Sequence, residues 1–313
     1  MKRVFPFAAA VIMLISLAGC GLNISRGDSA ITDYSSKVTE PVVESDGTAS
    51  KSEPENEVEE TPIYDTSEIL EAYRSDDVSP LSEKDMAIYN AAISAISEFY
   101  ADGMSEVEIV TAAHDWIVTN VTYDEGMLLA IPNKTDETEN PYGALILHQG
   151  ICMGYTTTFQ LFMDMLGVDS QIVRGTASGD GEWEEHAWNL VCIGGEYYHV
   201  DTTWDDFVPD EVGRQAFHMY LLVPDYVMEE LHKWDRDSTP LATSEDLIYY
   251  KTHGLYAESR AESEMLQGVA YTNSQAYCEI MTPSSKHVGY NGVEYYWVNE
   301  LGNYVVTIYW MYN

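Results

Sequence analysis

From about residue 63 onward the hydrophobic positions of this chain follow two periods, and the change from one to the other lays out the elements. A helix is expected over about Thr66–Arg74. Another opens at Ser82, where Ser-x-x-Asp can cap a run carrying Met86, Ile88 and Ile93. Ser105-Glu106-Val107-Glu108 is a capping box, in which the serine and the glutamate three residues later satisfy each other's backbone N–H groups. Val107, Val110, Ala113 and Ile117 then continue at helical spacing. Asn120–Pro141 reads as a loop containing a polar run, Asn133–Asn140. An apolar helix follows over about Cys152–Leu166, with Gly167 placed to end it.

Beyond that point three runs rich in β-branched and aromatic residues read as strands: Ser170–Thr176, His186–Ile193 and Glu196–Asp201. Gly194-Gly195 between the last two favours a tight antiparallel hairpin. From about Thr243 a helical stretch leads to three short strand candidates, Tyr277–Met281, Glu294–Val298 and Tyr304–Met311. The class is α+β: an N-terminal helical layer, a cysteine-bearing helix packed on an antiparallel sheet, and a small C-terminal α+β appendage. The folded body is expected over 63–240 and the appendage over 241–313.

The first 62 residues follow other rules. Lys2 and Arg3 precede an apolar run, Phe5–Leu17, too short to span a bilayer comfortably and typical of a secretory signal. It ends in Leu17-Ala18-Gly19-Cys20, which resembles the bacterial lipobox, in which the cysteine becomes a lipid-modified N-terminus. Residues 1–20 are therefore expected to be a lipoprotein signal with Cys20 as the anchor. Residues 21–62, rich in Ser, Thr, Glu, Asp and Pro, are expected to be a disordered acidic linker. The expected location is extracytoplasmic, lipid-anchored to a bacterial cell membrane.

Composition narrows the partners. The 313 residues carry a formal net charge of −37, and much of the acidity lies beyond the linker. A surface of that sign is repelled by phosphate backbones, so no nucleic-acid partner is expected. With 45% hydrophobic residues, 23 tyrosines and 7 tryptophans, the chain can build a core. If Cys20 is lipidated, Cys152, Cys192 and Cys278 remain, an odd set that leaves at least one thiol free. A Cys192–Cys278 disulfide is possible outside the cytoplasm, though core packing is the better reading of Cys192, between Val191 and Ile193.

The chemistry gathers in three tracts. Gly150-Ile151-Cys152-Met153-Gly154 puts a cysteine between glycines at a helix start, where backbone N–H groups and the helix dipole stabilise a thiolate. Gly150 would remove a side chain where a substrate carbonyl approaches. A buried structural cysteine is the competing reading of this tract alone. The second tract is Glu185-His186-Ala187-Trp188-Asn189 and the third is His199-Val200-Asp201-Thr202-Thr203-Trp204.

The hairpin connects the second and third tracts. With a two-residue turn, Ile193 pairs with Glu196, His186 lies opposite Thr203, and Trp188 lies opposite Asp201. His186 and Asp201 then share a sheet face as diagonal neighbours, whereas a one-residue slip would separate them. A helix-borne cysteine packed against that face would complete a nucleophile, a base and an orienting carboxylate. Trp188 and Trp204 are expected to wall the group, and His199 to pack in the core or at an edge. His114, His148, His218 and His253 show no paired metal-ligand spacing, so no metal is expected, and a thiol nucleophile with its base needs no cofactor.

A glycine-flanked cysteine opening a helix, then His-Ala-Trp-Asn, then Asp-x-Thr-Trp resembles the core of the transglutaminase-like superfamily, relatives of papain-type cysteine peptidases. The resemblance covers about His114–Asp206, with His114-Asp115-Trp116-Ile117 through Tyr123-Asp124 among its scaffold segments. Met219–Leu222 and His232-Lys233-Trp234-Asp235 are similar to a downstream stretch of bacterial members. The resemblance implies Cys152 as nucleophile, His186 as general base and acid, and Asp201 as orienting carboxylate, with the Cys152 backbone N–H as an oxyanion donor. It implies acyl transfer through a thioester on a protein, peptide or cell-wall peptide substrate, with hydrolysis favoured over cross-linking. The alternative from another class is a non-catalytic surface binding or assembly module on the same fold. A zinc hydrolase using His and Asp is a more distant one.

Overall fold

A computed structural model describes residues 62–124, 136–179, 181–206, 215–272, 279–283, 292–297 and 304–310. Cys20, the linker up to residue 61 and Cys278 lie outside the described residues. Among the described residues no helix is long and apolar enough to cross a membrane.

Three helices open the described chain: α1 (Ser67–Ser75), α2 (Glu83–Phe99) and α3 (Glu106–Asn120). Their starts are set by local hydrogen bonds. The Ser82 hydroxyl accepts from the Asp85 N–H at the head of α2. Both arms of the Ser105–Glu108 capping box are made at the head of α3. Substituting either serine by alanine removes a cap worth about 1 kcal/mol.

Of the loop expected over 120–141, residues 125–135 lie outside the described residues, and its two ends form short regular pieces. Two-residue strands β1 (Thr122–Tyr123) and β2 (Gln149–Gly150) pair in parallel, Tyr123 opposite Gly150. A 3-10 turn at Asp136–Glu139 and a π-helical turn at Gly143–Leu147 lie between them. The polar residues here bond to backbone and to one another, a local solution that periodicity does not reveal.

Helix α4 (Cys152–Leu166) runs through the centre, capped by Gly167 at φ 79°. It is packed between α1–α3 and one face of a five-stranded antiparallel sheet. The strands are β3 (Asp169–Ala177), β4 (Glu184–Ile193), β5 (Glu196–Val200), β6 (Leu221–Val223) and β7 (His232–Trp234), in the order β6-β5-β4-β3-β7. Tyr155, Phe159 and Phe162 of α4 are wholly buried with Ile88, Ile117 and Val191. Truncating either phenylalanine to alanine should cost about 3–5 kcal/mol, because neighbours on both sides cannot close the cavity.

The opposite sheet face carries Val173, Trp188 and Leu190. It is covered by Phe217, Met219 and Tyr220 ahead of β6, by Met228 of α5 (Asp225–Met228), and by Ile248 and Tyr250. Helices α6 (Tyr249–Thr252) and α7 (Arg260–Thr272) replace the single helical stretch expected from Thr243. Gly254, left-handed at φ 66°, marks the break between them. Three late strands overlap the expected runs, the first two with bounds moved by about two residues, as β8 (Glu279–Pro283), β9 (Gly292–Trp297) and β10 (Tyr304–Trp310), ordered β8-β10-β9; residues 277, 278, 298 and 311 lie outside the described residues. Met281 of β8 packs into the second core.

Candidate active site

The β4–β5 ladder has the register that the glycine turn required. Ile193 pairs with Glu196 and Asn189 with Val200. Pairing stops there, so Asp201 is the first residue beyond the strand, where its N–H donates to the Tyr220 carbonyl at 3.1 Å. His186 and Asp201 meet on one face: His186 Nε2 lies 2.7 Å from Asp201 Oδ2, in a buried contact. The other carboxylate oxygen accepts from the N–H groups of Thr203 and Trp204 at 3.0 and 3.1 Å, which fixes its orientation.

The cysteine approaches differently from the expectation. Helix α4 packs on the other face of β4, where the Thr156 hydroxyl donates to the Ala187 carbonyl and the Asn189 amide donates to the Thr156 carbonyl. Only its first residue reaches around the start of β4, where Cys152 hydrogen-bonds to the His186 imidazole. Because Nε2 is committed to Asp201, Nδ1 is the nitrogen left for the thiol. The helix begins at an extended Ile151 with no side-chain cap, so its first-turn N–H groups lack intrahelical acceptors. Such a terminus stabilises negative charge.

The two glycines beside Cys152 answer to the protein itself. A Cβ on Gly154 would sit 2.3 Å from the Thr138 carbonyl oxygen, and one on Gly150 would sit 3.2 Å from the Tyr155 ring. At Gly154 the neighbour is backbone and cannot yield, whereas at Gly150 the Tyr155 ring would have to give by a few tenths of an ångström.

Electrostatics couple the group. Burial opposes a charge on His186, but the Asp201 carboxylate and the Cys152 sulfur outweigh it and push the imidazole up to about 10. Burial likewise opposes a charge on Asp201, and His186 with His232 overcomes it, holding the carboxyl well below the usual range. His232 is a residue that sequence reasoning missed. Its Nε2 lies 3.0 Å from Asp201 Oδ2, the same oxygen that faces His186. Its ring is buried and its pKa is lowered by that burial, so it serves as a neutral donor. The tract from His232 to Asp235 was noted for its likeness to other chains, but the diagonal from β7 across to Asp201 has no spacing signature.

Trp188 stacks on His186 with ring centroids 5.8 Å apart, and Trp204 stands 6.1 Å away on another side. His199 has no part in the site. It accepts from Trp188 Nε1 at 2.9 Å and bonds to Asp225 at 2.8 Å, and burial keeps its pKa low. Cys192 is a free, half-buried thiol near the hairpin end, not the core residue expected, because the ladder there is close to its open edge.

Two clefts meet at His186. One, of about 580 Å³, is lined by Cys152, Met153, Arg174, Thr176, Lys233 and Trp234. The other, of about 590 Å³, is lined by Tyr123, Glu182, Glu184, Thr203, Trp204 and Asp206. Tyr123 is the second residue that was missed. Burial first, then the neighbouring Cys152 and acidic groups, raise its hydroxyl to about 12, and the β1–β2 pairing holds it beside Gly150. Both clefts share Glu185 and His186 in their walls, and Cys152 lines the first of them.

Residues 94–202 match the family model described as the transglutaminase-like superfamily. That stretch is similar to a transglutaminase-like core. It contains Cys152, His186 and Asp201. Human kyphoscoliosis peptidase is 26% identical over 134 residues, 40% of this chain and 20% of that protein, and its mouse counterpart is 27% identical over the same length. The chain thus spans about a fifth of the curated relatives it matches. A crystal structure of a TGase aligns with a TM-score of 0.32 at 20% identity, covering 44% of this chain and 37% of that one. The matched stretch includes the cysteine helix α4, the strands β3 and β4 that it contacts, and β5.

Proposed function

We propose that this protein is a thiol acyl-transfer enzyme that opens peptide or amide bonds through Cys152, His186 and Asp201. The observation that carries the reading is the His186 imidazole, held between the Asp201 carboxylate at 2.7 Å and the Cys152 thiol at the junction of two clefts. Cys152 passes its proton to His186, and the thiolate attacks the carbonyl carbon. The oxyanion meets the uncapped first-turn N–H groups of α4, that of Cys152 among them. His186 returns the proton to the departing amine as the C–N bond breaks, which leaves a thioester on Cys152. Water, deprotonated by His186, then releases the acid and the free thiol. Hydrolysis is favoured because water is the default acceptor and nothing among the described residues marks a lysine-binding site.

The substrate class proposed is a protein, peptide or cell-wall peptide. The proposed setting is the outer face of a bacterial membrane, with lipid on Cys20 as the tether. The test uses the full chain with a peptide and cell-wall fragment library, read by mass spectrometry for both cleaved and cross-linked products. Cleavage that disappears in Cys152→Ala is expected. Iodoacetamide should also label Cys152 at neutral pH much faster than Cys192, the other free thiol among the described residues. If Cys152 labels no faster than Cys192 and no product forms, the fold serves as a binding module instead.

A further inference from the structure

A second cluster of histidines and carboxylates lies outside the proposed acyl-transfer machinery. His114 Nδ1 lies 2.9 Å from Asp115 Oδ1, and His218 Nε2 lies 3.1 Å from the same oxygen. The three donor atoms are all within 4.8 Å of one another. Around a tetrahedral ion with bonds of 2.0–2.1 Å, donor atoms stand roughly 3.3 Å apart, so small side-chain shifts would suffice to admit one.

The far side of each ring is equally informative. His114 Nε2 lies 3.0 Å from Asp205 Oδ2, and His218 Nδ1 lies 2.8 Å from Glu279 Oε1. Both outer carboxylates are themselves fixed. Asp205 accepts from the Tyr220 N–H at 3.0 Å, while Glu279 accepts from the His218 N–H at 3.1 Å and the Tyr250 hydroxyl at 2.6 Å. His218 also stacks on Tyr249 with centroids 3.7 Å apart and rings within 2° of parallel. Histidines that ligate metals almost always donate their distant N–H to a carboxylate or carbonyl, which fixes the tautomer and strengthens the ligand. Here both histidines have that support already built.

We propose that His114, Asp115 and His218 form a binding site for a divalent transition-metal ion of the zinc type, with Asp205 and Glu279 as its outer carboxylates. His114 Nδ1, His218 Nε2 and Asp115 Oδ1 are the ligand atoms. Asp115, whose side chain is 41% exposed, opens the site to solvent, and water completes the coordination. Without metal, each of the two inward nitrogens must carry a proton to bond to Asp115. The ion takes the place of those two protons, which leave to solvent, and the total charge is unchanged. Nitrogen and carboxylate donors suit zinc and its first-row neighbours rather than calcium or magnesium. The ion would join α3 to the segment before β6. Through its outer carboxylates it would also fix β8 and the turn after Asp201, where the Asp205 N–H donates to the Asp201 carbonyl.

The experiment uses full-length protein carrying Cys152→Ala and His186→Ala, so that neither that thiol nor that imidazole can take up metal. After chelator treatment the protein is dialysed against zinc chloride and its metal content measured, with cobalt chloride as a spectroscopic probe. One zinc per chain, visible cobalt absorption and a melting midpoint raised by a few degrees are expected. Asp115→Ala and His218→Phe should each weaken zinc binding roughly 100-fold or more, given that even losing an outer partner costs about 10–100-fold. If His218→Phe fails to fold, Asp115→Ala, at the exposed lip, still decides. No retained zinc in the parent, or undiminished zinc in Asp115→Ala, overturns the site.

Discussion

Two places in this molecule use the same device, one carboxylate oxygen faced by two imidazoles, yet they differ in what lies on the far side of the rings. At Asp201 the oxygen faces His186 and His232, and the remaining nitrogen of His186 is left to a thiol beside two clefts. At Asp115 the oxygen faces His114 and His218, and both remaining nitrogens end on buried carboxylates. In the first arrangement a proton can move between sulfur and nitrogen where a substrate can enter. In the second each imidazole is anchored at both ends by a carboxylate. The far nitrogen therefore decides whether the motif suits chemistry or anchorage.

The largest effect should come from the thiol. Cys152→Ala should lower turnover on the order of 10⁴-fold or more, and His186→Ala nearly as far, while the double variant is little worse than either. The melting midpoint of Cys152→Ala should stay close to the parent, since the half-buried side chain contributes little packing. Losses that multiply in the double variant would show that the two residues do not act as a unit. Full activity in Cys152→Ala would reassign the nucleophile.

Exchanging the two carboxylates tests the comparison directly. Asp201→Asn should reduce kcat by about 10²–10⁴-fold, because the amide neither stabilises an imidazolium nor holds its tautomer. Asp115→Asn should leave kcat within a few-fold of the parent. Paired kinetics on a peptide substrate would check this, and equal losses in both would mean that the distinction drawn from the far nitrogens is mistaken.

His232 should give an intermediate result that a purely structural residue would not. Its neutral donor shares Asp201 Oδ2 and so weakens the pull of that oxygen on His186. His232→Phe should lower kcat by roughly 10-fold, a typical cost for an outer partner. It should also move the alkaline limb of the rate profile to higher pH, since Asp201 is left entirely to His186. A drop in rate with an unmoved limb would make His232 a packing residue only.

How much of this could be read from the chain depended on how local each signal was. The capping box at Ser105, the stop at Gly167 and the turn at Gly194-Gly195 are written in neighbouring residues. The turn was enough to place His186 and Asp201 on one face. The side from which α4 approaches was not legible, because both faces of β4 are buried and strand alternation does not say which one a helix covers. The pairing of Asp115 with His218, 103 residues apart, has no local spacing at all. The same holds for His232, which reaches Asp201 only because β7 joins the sheet beside β3.

The smallest effect concerns stability against pH, and its sign follows from His186. The folded imidazole is raised from 6.5 to about 10, mainly by Asp201 and Cys152 acting against burial. Its contribution to stability is therefore fully present below about pH 6.5 and declines as pH rises through about 10. Asp201 is shifted downward, so its share is present above the ordinary carboxylate range and is lost only in acid. His218 is raised to about 10 as well, by Glu279 and Asp115 against burial, so the measurement belongs in a His218→Phe background. There the melting midpoint should fall by a few degrees between about pH 6.5 and pH 10. Adding Asp201→Asn should flatten that slope, because without the carboxylate the folded imidazole loses its main reason to hold a proton. A slope that survives Asp201→Asn unchanged would mean that the alkaline loss comes from elsewhere, and that the His186–Asp201 pair contributes little to holding the fold.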